Sequence, residues 1–482
     1  MAAVYREEID IDPGTYTDTC EITVGGITLN GVGGMPKIDL TGMAPYGKKG
    51  IYVVSADDVT IANLELTGAQ IADADGGNAA ALRVTGKGLT VNSCYIHDNQ
   101  NGILAAPLVD GGDITVIFTE LSHNGLGDAC DQGGCVHNVY ISKTSASVRY
   151  DRTIFQYNWT HDLASDTADK GHLLKSRSRE TYVLYNRITG ETGHDSYEVD
   201  IPNGGLGIVV GNVIEKGPNA DNSTLLEYGE EGIDNPTSGL YVESNTFVND
   251  FGKGAFLGVA AGATLTAHDN IFVGAGTVSS TGALSTDNLT GVDPLFVDRA
   301  NYDYHLMAGS PAIGKAVAAP AAGNLSLTPI DEYVQPLKGV RRLSAHDIGA
   351  FEYGTATADG GYAYRPPGTS PYGLALDPVD AGDGTGLPSS GSSGGSGSSG
   401  GTSFGAGSSS SGGIASSGGG PASIDGGGNA GRPNTTVTAG CGCRAAGAGS
   451  AEGGIAAGLV LAALLALRLL RAREGADRPH AL

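Results

Sequence analysis

Short runs of alternating apolar and polar residues recur along residues 1 to 354, each bounded by Gly, Asn or Asp, and almost none repeats with the 3.6-residue spacing of a helix. TYVLYNRITG, GIVVGNVIEK, LYVESNTFVN and TAHDNIFVGA align so that an Asn stands two places before an Ile or Phe: Asn186, Asn212, Asn245 and Asn270, at spacings of 26, 33 and 25. Upstream, VTIANLELTG, LTVNSCYIHD, ITVIFTELSH and VRYDRTIFQY share the alternation, with Cys94 and Thr119 in the Asn slot and Arg152 or Thr153 next. A lone strand of about five residues cannot hide its apolar face, whereas coils stacked in register bury every inward side chain. The pattern therefore predicts an all-β solenoid of short parallel strands. Asn tolerates the left-handed backbone of tight corners and can bond the equivalent amide one coil away, so the Asn column reads as an internal ladder.

DIDPGTYTDTCEITVGGITLNGVGG and DDVTIANLELTG resemble the first coils of right-handed parallel β-helix proteins of the pectate-lyase-like superfamily. VDPLFVDRANYDYHLMAGSPAIGKA and HDIGAFEYG resemble the segment that closes many such bacterial helices. The resemblance implies a β-helix over 1–292 and a closing segment over 293–354. It leaves the activity open, because one fold hosts lyases, hydrolases, epimerases, adhesins and binders.

Beyond residue 354 the composition changes. LPSSGSSGGSGSSGGTSFGAGSSSSGG cannot bury enough apolar surface to offset its ordering entropy, so 355–440 is expected to be a disordered tether. GGIAAGLVLAALLAL then supplies an apolar helix, short for a bilayer but extended by the small residues before it, and Arg468, Arg471 and Arg473 follow on the expected cytoplasmic side. This predicts a membrane anchor at the cell surface. Together with CGCR at Cys441 and Cys443, segment 441–482 resembles the C-terminal sorting signal of myxobacterial surface proteins, which implies processing by sorting machinery at those cysteines. MAAVYREEIDIDPGTY contains no signal-peptide apolar core and begins in mid-coil, so a truncated start is expected.

With 52 acidic residues against 28 Lys plus Arg and a net charge of -24, the chain lacks the basic stripe of a nucleic-acid binder. A monomer acting on sugars at the cell surface is the expectation. Cys130 and Cys135 in GDACDQGGCVHN suit a disulfide pinning a loop, with a zinc site using His123 and His137 as the rival. Cys94, in the slot, reads as a small buried hydrophobe.

Against this acidic background, GHLLKSRSRE places Lys175, Arg177 and Arg179 at alternate positions. In a strand, burial of Leu174 and Ser176 sends Lys175 and Arg177 outward. The next coils, SYEVDIPNGG and STLLEYGEEG, would turn Tyr197, Val199, Ile201, Leu226 and Tyr228 inward and Glu198, Asp200 and Glu227 outward, with Tyr140 from HNVYISK on the same face. Stacking at about 4.8 Å gathers these into one patch. The loop LASDTADKGH adds Asp166, Asp169, Lys170 and His172, TGETGHDSY adds His194 and Asp195, and His161 is a further candidate for the same wall.

Three readings of this patch follow. In a lyase for acidic polysaccharide, Lys175 or an Arg would abstract the proton beside a uronate carboxylate and the other cation would neutralise it, with calcium at Glu198, Asp200 or Glu227 as an option and Tyr140, His172 and Arg179 gripping substrate. In a glycoside hydrolase, carboxylates on neighbouring coils would do the chemistry. In a non-catalytic binding or adhesive protein, the alternating charges would be a surface ion-pair ladder.

Overall fold

The computed structural model describes residues 5–127, 136–164, 171–281, 284 and 286–354. Over these residues the chain is a right-handed parallel β-helix. Three parallel sheets run along it. Sheet 1 has ten strands, from Glu8–Ile11 to Leu265–His268; sheet 2 has eleven, from Thr15–Tyr16 to Leu289–Thr290; sheet 3 has ten, from Cys20–Ile22 to Thr277–Ser279. The only helical pieces among the described residues are two three-residue 3-10 turns.

Register explains the core. In sheet 1 the inward column runs Leu29, Ile61, Val91, Val116, Phe155, Val183, Val209, Val242, Ala267 over nine successive coils. Each full burial of such an aliphatic side chain contributes about 1.5–3 kcal/mol, so no single coil is stable alone and the stack is.

The corner between sheets 1 and 2 carries the Asn ladder. Asn158, Asn186, Asn212, Asn245, Asn270 and Asn288 form one chain in which each Nδ2 donates to the next Oδ1 at 2.9–3.1 Å. Ahead of it, the Thr119 amide donates to Asn158 Oδ1 at 2.9 Å and the Cys94 amide to Thr119 Oγ1 at 3.3 Å. The slot after Thr119 is therefore Asn158, not Arg152 or Thr153. Those two belong to the preceding strand Arg152–Gln156, and Thr153 faces inward to Ser178 while Arg152 pairs with Asp113. The residue just before the slots from Asn158 to Asn270 takes the left-handed conformation, at Tyr157, Tyr185, Ser244 and Asp269, and Gly211 fills that place where a Cβ would meet the Tyr185 ring at 2.4 Å. Cys94 is fully buried, and burial pushes its thiol up to about 12.

After the last coil the chain does not merely cover the helix end. Phe296, Tyr304, Leu306, Ile348 and Phe351 pack on Val213, Val248 and Ile271 of sheet 2. Leu327 and Ile330 pack on the outer residues Tyr182, Leu184, Ile208 and Val210 of sheet 1 and on the corner tyrosines. Tyr157 donates to Asp331 at 2.6 Å, and the Ile330 amide donates to Tyr185 at 3.0 Å. The segment thus shields outer apolar columns of two sheets and leaves sheet 3 to other cover. Cys130, Cys135, Asp166, Asp169, Lys170, the tether, Cys441, Cys443 and the apolar C-terminal stretch lie outside the described residues. Among those described, no helix is long and apolar enough to cross a membrane.

Candidate functional site on the outer face of sheet 3

Sheet 3 aligns Arg83, Leu104, Tyr140, Lys175, Asp200, Glu227 and Gly258 in one outward column. The alternation that sends Leu174 and Val199 inward forces Lys175 and Asp200 out. Outward here does not mean solvated: Asp200 is fully buried, and Lys175 and Arg177 are 8% and 9% exposed.

Lys175 Nζ lies 2.7 Å from Asp200 Oδ2 and 3.3 Å from Glu231 Oε1. Arg177 holds Glu231 with both terminal nitrogens, at 2.6 and 2.7 Å, donates Nε to the Tyr140 hydroxyl at 2.9 Å and donates Nη1 to Asn203 at 2.8 Å. Both cations also sit over the Tyr140 ring, at 5.8 and 5.6 Å. Burial, opposed by Lys175, raises Asp200 to about 7. Burial and the neighbouring Glu230 and Asp200 raise Glu227 to about 7. Gly258 makes room for that side chain: a Cβ there would stand 1.9 Å from Glu227 Oε2. Glu230, beside it, accepts a hydrogen bond from Tyr197 at 2.8 Å.

His172 belongs to the same wall. Its Nδ1 accepts the Tyr197 amide at 3.3 Å, and the His172 amide itself donates to His137 Nδ1 at 3.0 Å. A backbone amide can only donate, so the neutral His172 ring carries its proton on Nε2, which points at Asp200 Oδ2, 3.4 Å away. Burial, with His137 and Lys175 nearby, holds its pKa well below the ordinary histidine value. His137 is buried in this stack and its Nδ1 is used there, which removes that nitrogen from the zinc alternative, and the side chain of His123 is 61% exposed near Asp98.

Glu198 is not on this face. The strand begins at Val199, so Glu198 sits at the corner before it, in a column with the buried Leu173 and Leu225, where alternation no longer holds. Its carboxylate lies 2.9 Å from Lys216 Nζ, which also meets Asp195 at 3.3 Å and the Ser196 carbonyl at 2.6 Å; all three charged side chains are fully buried. Burial pulls Lys216 down, but Glu198 and Asp195 outweigh it and hold it as an ammonium. Glu198 therefore does not share a site with Asp200 and Glu227. Tyr197, expected inward, is at the same corner with its hydroxyl toward solvent-exposed Glu230.

Arg179 is also elsewhere. It lies on the turn after Leu174–Ser176, with Nη2 donating to both Asp110 carboxylate oxygens at 2.7 and 2.8 Å and Nη1 2.9 Å from Asp151. His161 stands on sheet 2, stacked on Trp159 at 3.9 Å and grouped with Asp162 and Glu191, whose ligand atoms lie within 4.8 Å of one another. The residues that sequence reading missed are Glu231, Glu230 and Asn203, which come from turns without periodic signal, and His137, which was read only as a zinc ligand.

No known protein family matches the sequence, and no curated protein sequence matches it. Among solved structures it is similar to the crystal structure of pectate lyase Pel9A, at 17% identity and a TM-score of 0.49, over 72% of this chain and 88% of that one. The β-helix described above stands on its own sheets and ladder, independently of that likeness.

Proposed function

We propose that the sheet 3 face cleaves an acidic polysaccharide by β-elimination, with Lys175 as the base. The observation that carries this reading is the buried contact of 2.7 Å between Lys175 Nζ and Asp200, a carboxyl raised to about 7. A lysine serves as base only after losing a proton, and Asp200, 2.7 Å away, is the group placed to take it. Asp200 accepts that proton internally, with the His172 Nε2–H beside it. The amine then takes the proton α to a uronate carboxylate, the glycosidic C–O bond on the adjacent carbon breaks, a carbon–carbon double bond forms between those two carbons, and the departing oxygen takes a proton from water to leave as a hydroxyl end. Arg177, preset by Tyr140 and Asn203, pairs the carboxylate on which negative charge accumulates.

A specific observation favours hydrolysis as the second reading. Glu227, one coil beyond Asp200 and raised to about 7, is poised to donate a proton to a glycosidic oxygen, with Glu230 as the accompanying carboxylate. The test is a screen of polygalacturonate, alginate and neutral β-glucans, with calcium present, scored for ultraviolet-absorbing unsaturated ends and for reducing ends. Unsaturated ends on a polyuronate are expected. Reducing ends without unsaturation, abolished by Glu227→Gln, would transfer the assignment to hydrolysis; binding without either product would leave an adhesive protein.

A further inference from the structure

The cations of this face already hold a carboxylate. Glu231 sits in the fork of Arg177 and 3.3 Å from Lys175, the geometry in which a fork-shaped guanidinium takes any free carboxylate. Its own side chain is 42% exposed, whereas those of Arg177 and Lys175 are 11% and 10% exposed, so Glu231 is the solvent-side cover of both. We infer that Glu231 is an internal stand-in for the carboxylate of an acidic sugar, and that Arg177, Lys175, Tyr140 and Asn203 form a carboxylate-binding subsite which Glu231 vacates when that sugar binds.

The surrounding chain is built for a side-chain swing on a fixed strap. Downstream of Glu231, Asp234 reaches back along the helix to Arg149 at 2.9 Å and Lys143 at 2.5 Å, and Asn235 donates to the carbonyls of Ser178 and Gly204 at 3.0 and 2.9 Å. The Glu231 amide donates to the Pro202 carbonyl at 3.0 Å. The backbone is thereby tied to earlier coils on both sides of the residue. Arg177 does not depend on Glu231 for its position, since Tyr140 and Asn203 hold two of its nitrogens. An incoming carboxylate meets a fork already aimed, and the released Glu231 side chain moves into water.

This inference rests on the acidic-glycan reading of the face, and binding separates the two. Calorimetric titration of the full chain with trigalacturonate, triguluronate and, as the neutral control, cellotriose should show Glu231→Gln binding one or both acidic trimers roughly tenfold tighter than the parent, with cellotriose unchanged. No gain with either acidic trimer, or an equal gain with cellotriose, overturns the stand-in role. If Glu231→Gln does not fold, Glu231→Asp, one methylene too short for the bidentate contact, is read by the same criteria. A parent that forms unsaturated ends while Glu231→Gln gains nothing rejects the stand-in and keeps the lyase; tighter acidic binding without unsaturated ends from either protein does the reverse.

Discussion

Glu198 and Asp200 are two residues apart, both fully buried and both beside a lysine, yet they belong to different kinds of site. Glu198 turns inside the corner, where Lys216, Asp195 and the Ser196 carbonyl close around it and no ligand can reach. Asp200 turns to the outer face, where Lys175, Arg177 and Glu231 continue the cluster toward solvent. The first cluster sets one ammonium between two carboxyls sealed in the interior, Glu198 being raised well above the ordinary carboxylate range chiefly by burial, and it fixes the corner. The second has neighbours that can be exchanged. An ionic cluster is a candidate for chemistry when its outermost member is replaceable.

Removing the interior cation should produce the largest effect. Lys216→Ala opens a buried cavity, leaves the Ser196 carbonyl without its donor and takes the counter-charge from Asp195, and we expect a loss of about 3–5 kcal/mol in stability, read by chemical denaturation. A loss under about 1 kcal/mol would mean that water enters this corner and that the two clusters are alike.

The pH dependence comes next. Asp200 is raised to about 7 and Glu215 to about 8, in each case chiefly by burial. Both bind protons more tightly in the folded chain than in the unfolded one, so their contribution to stability is complete below the ordinary carboxylate range. It is lost as pH rises through about 7 to 8. The melting temperature should therefore fall between pH 5 and pH 8.5, and Glu215→Gln should flatten part of that fall. A melting temperature that rises over this interval would contradict the burial assigned to both carboxyls.

Asn212→Leu interrupts the ladder between Asn186 and Asn245 and should cost roughly 2 kcal/mol, as buried amide groups lose partners. The smallest stability effect is expected from Gly258→Ala. Its Cβ would displace the end of Glu227 and press on Thr224 Cγ2 at 2.9 Å, so a cost of about 1 kcal/mol should accompany any change in turnover. Unchanged turnover there would remove Glu227 from the chemistry.

The coils were legible in the sequence because each repeats one local requirement: a left-handed residue, then Asn, then an alternating strand, as in Tyr185–Asn186 and Asp269–Asn270. The register slipped only around Asn158, where the segment VRYDRTIFQYN offered Arg152 and Thr153 at a false match. A second ladder, Asn99 to Asn124 to Asn138 and on to Thr160, left its mark in IHDNQ, LSHNG and VHNVY and went unread. The outward direction of Lys175, Asp200 and Glu227 could be read because they lie within strands, but the burial of Lys175, Arg177 and Asp200 could not, since it comes from turns packed over the face. The directions of Glu198 and Tyr197 could not be read either, because period-two alternation ends where the strand ends. Glu231 was invisible, since a turn such as GEEG carries no periodicity and its partners lie more than fifty residues earlier in the chain.

We propose that the exchangeable cluster on sheet 3, centred on Lys175, does chemistry on an acidic glycan. The most direct test is the rate of unsaturated-end formation on the polyuronate that the parent cleaves, measured for the parent and for Lys175→Ala at matched folded concentration. Because Asp200 can be protonated near neutral pH once its lysine is gone, the substitution should cost only about 1–2 kcal/mol of stability. A folded Lys175→Ala protein with no detectable unsaturated product is expected; a folded variant that forms it at the parent's rate would exclude Lys175 as the base.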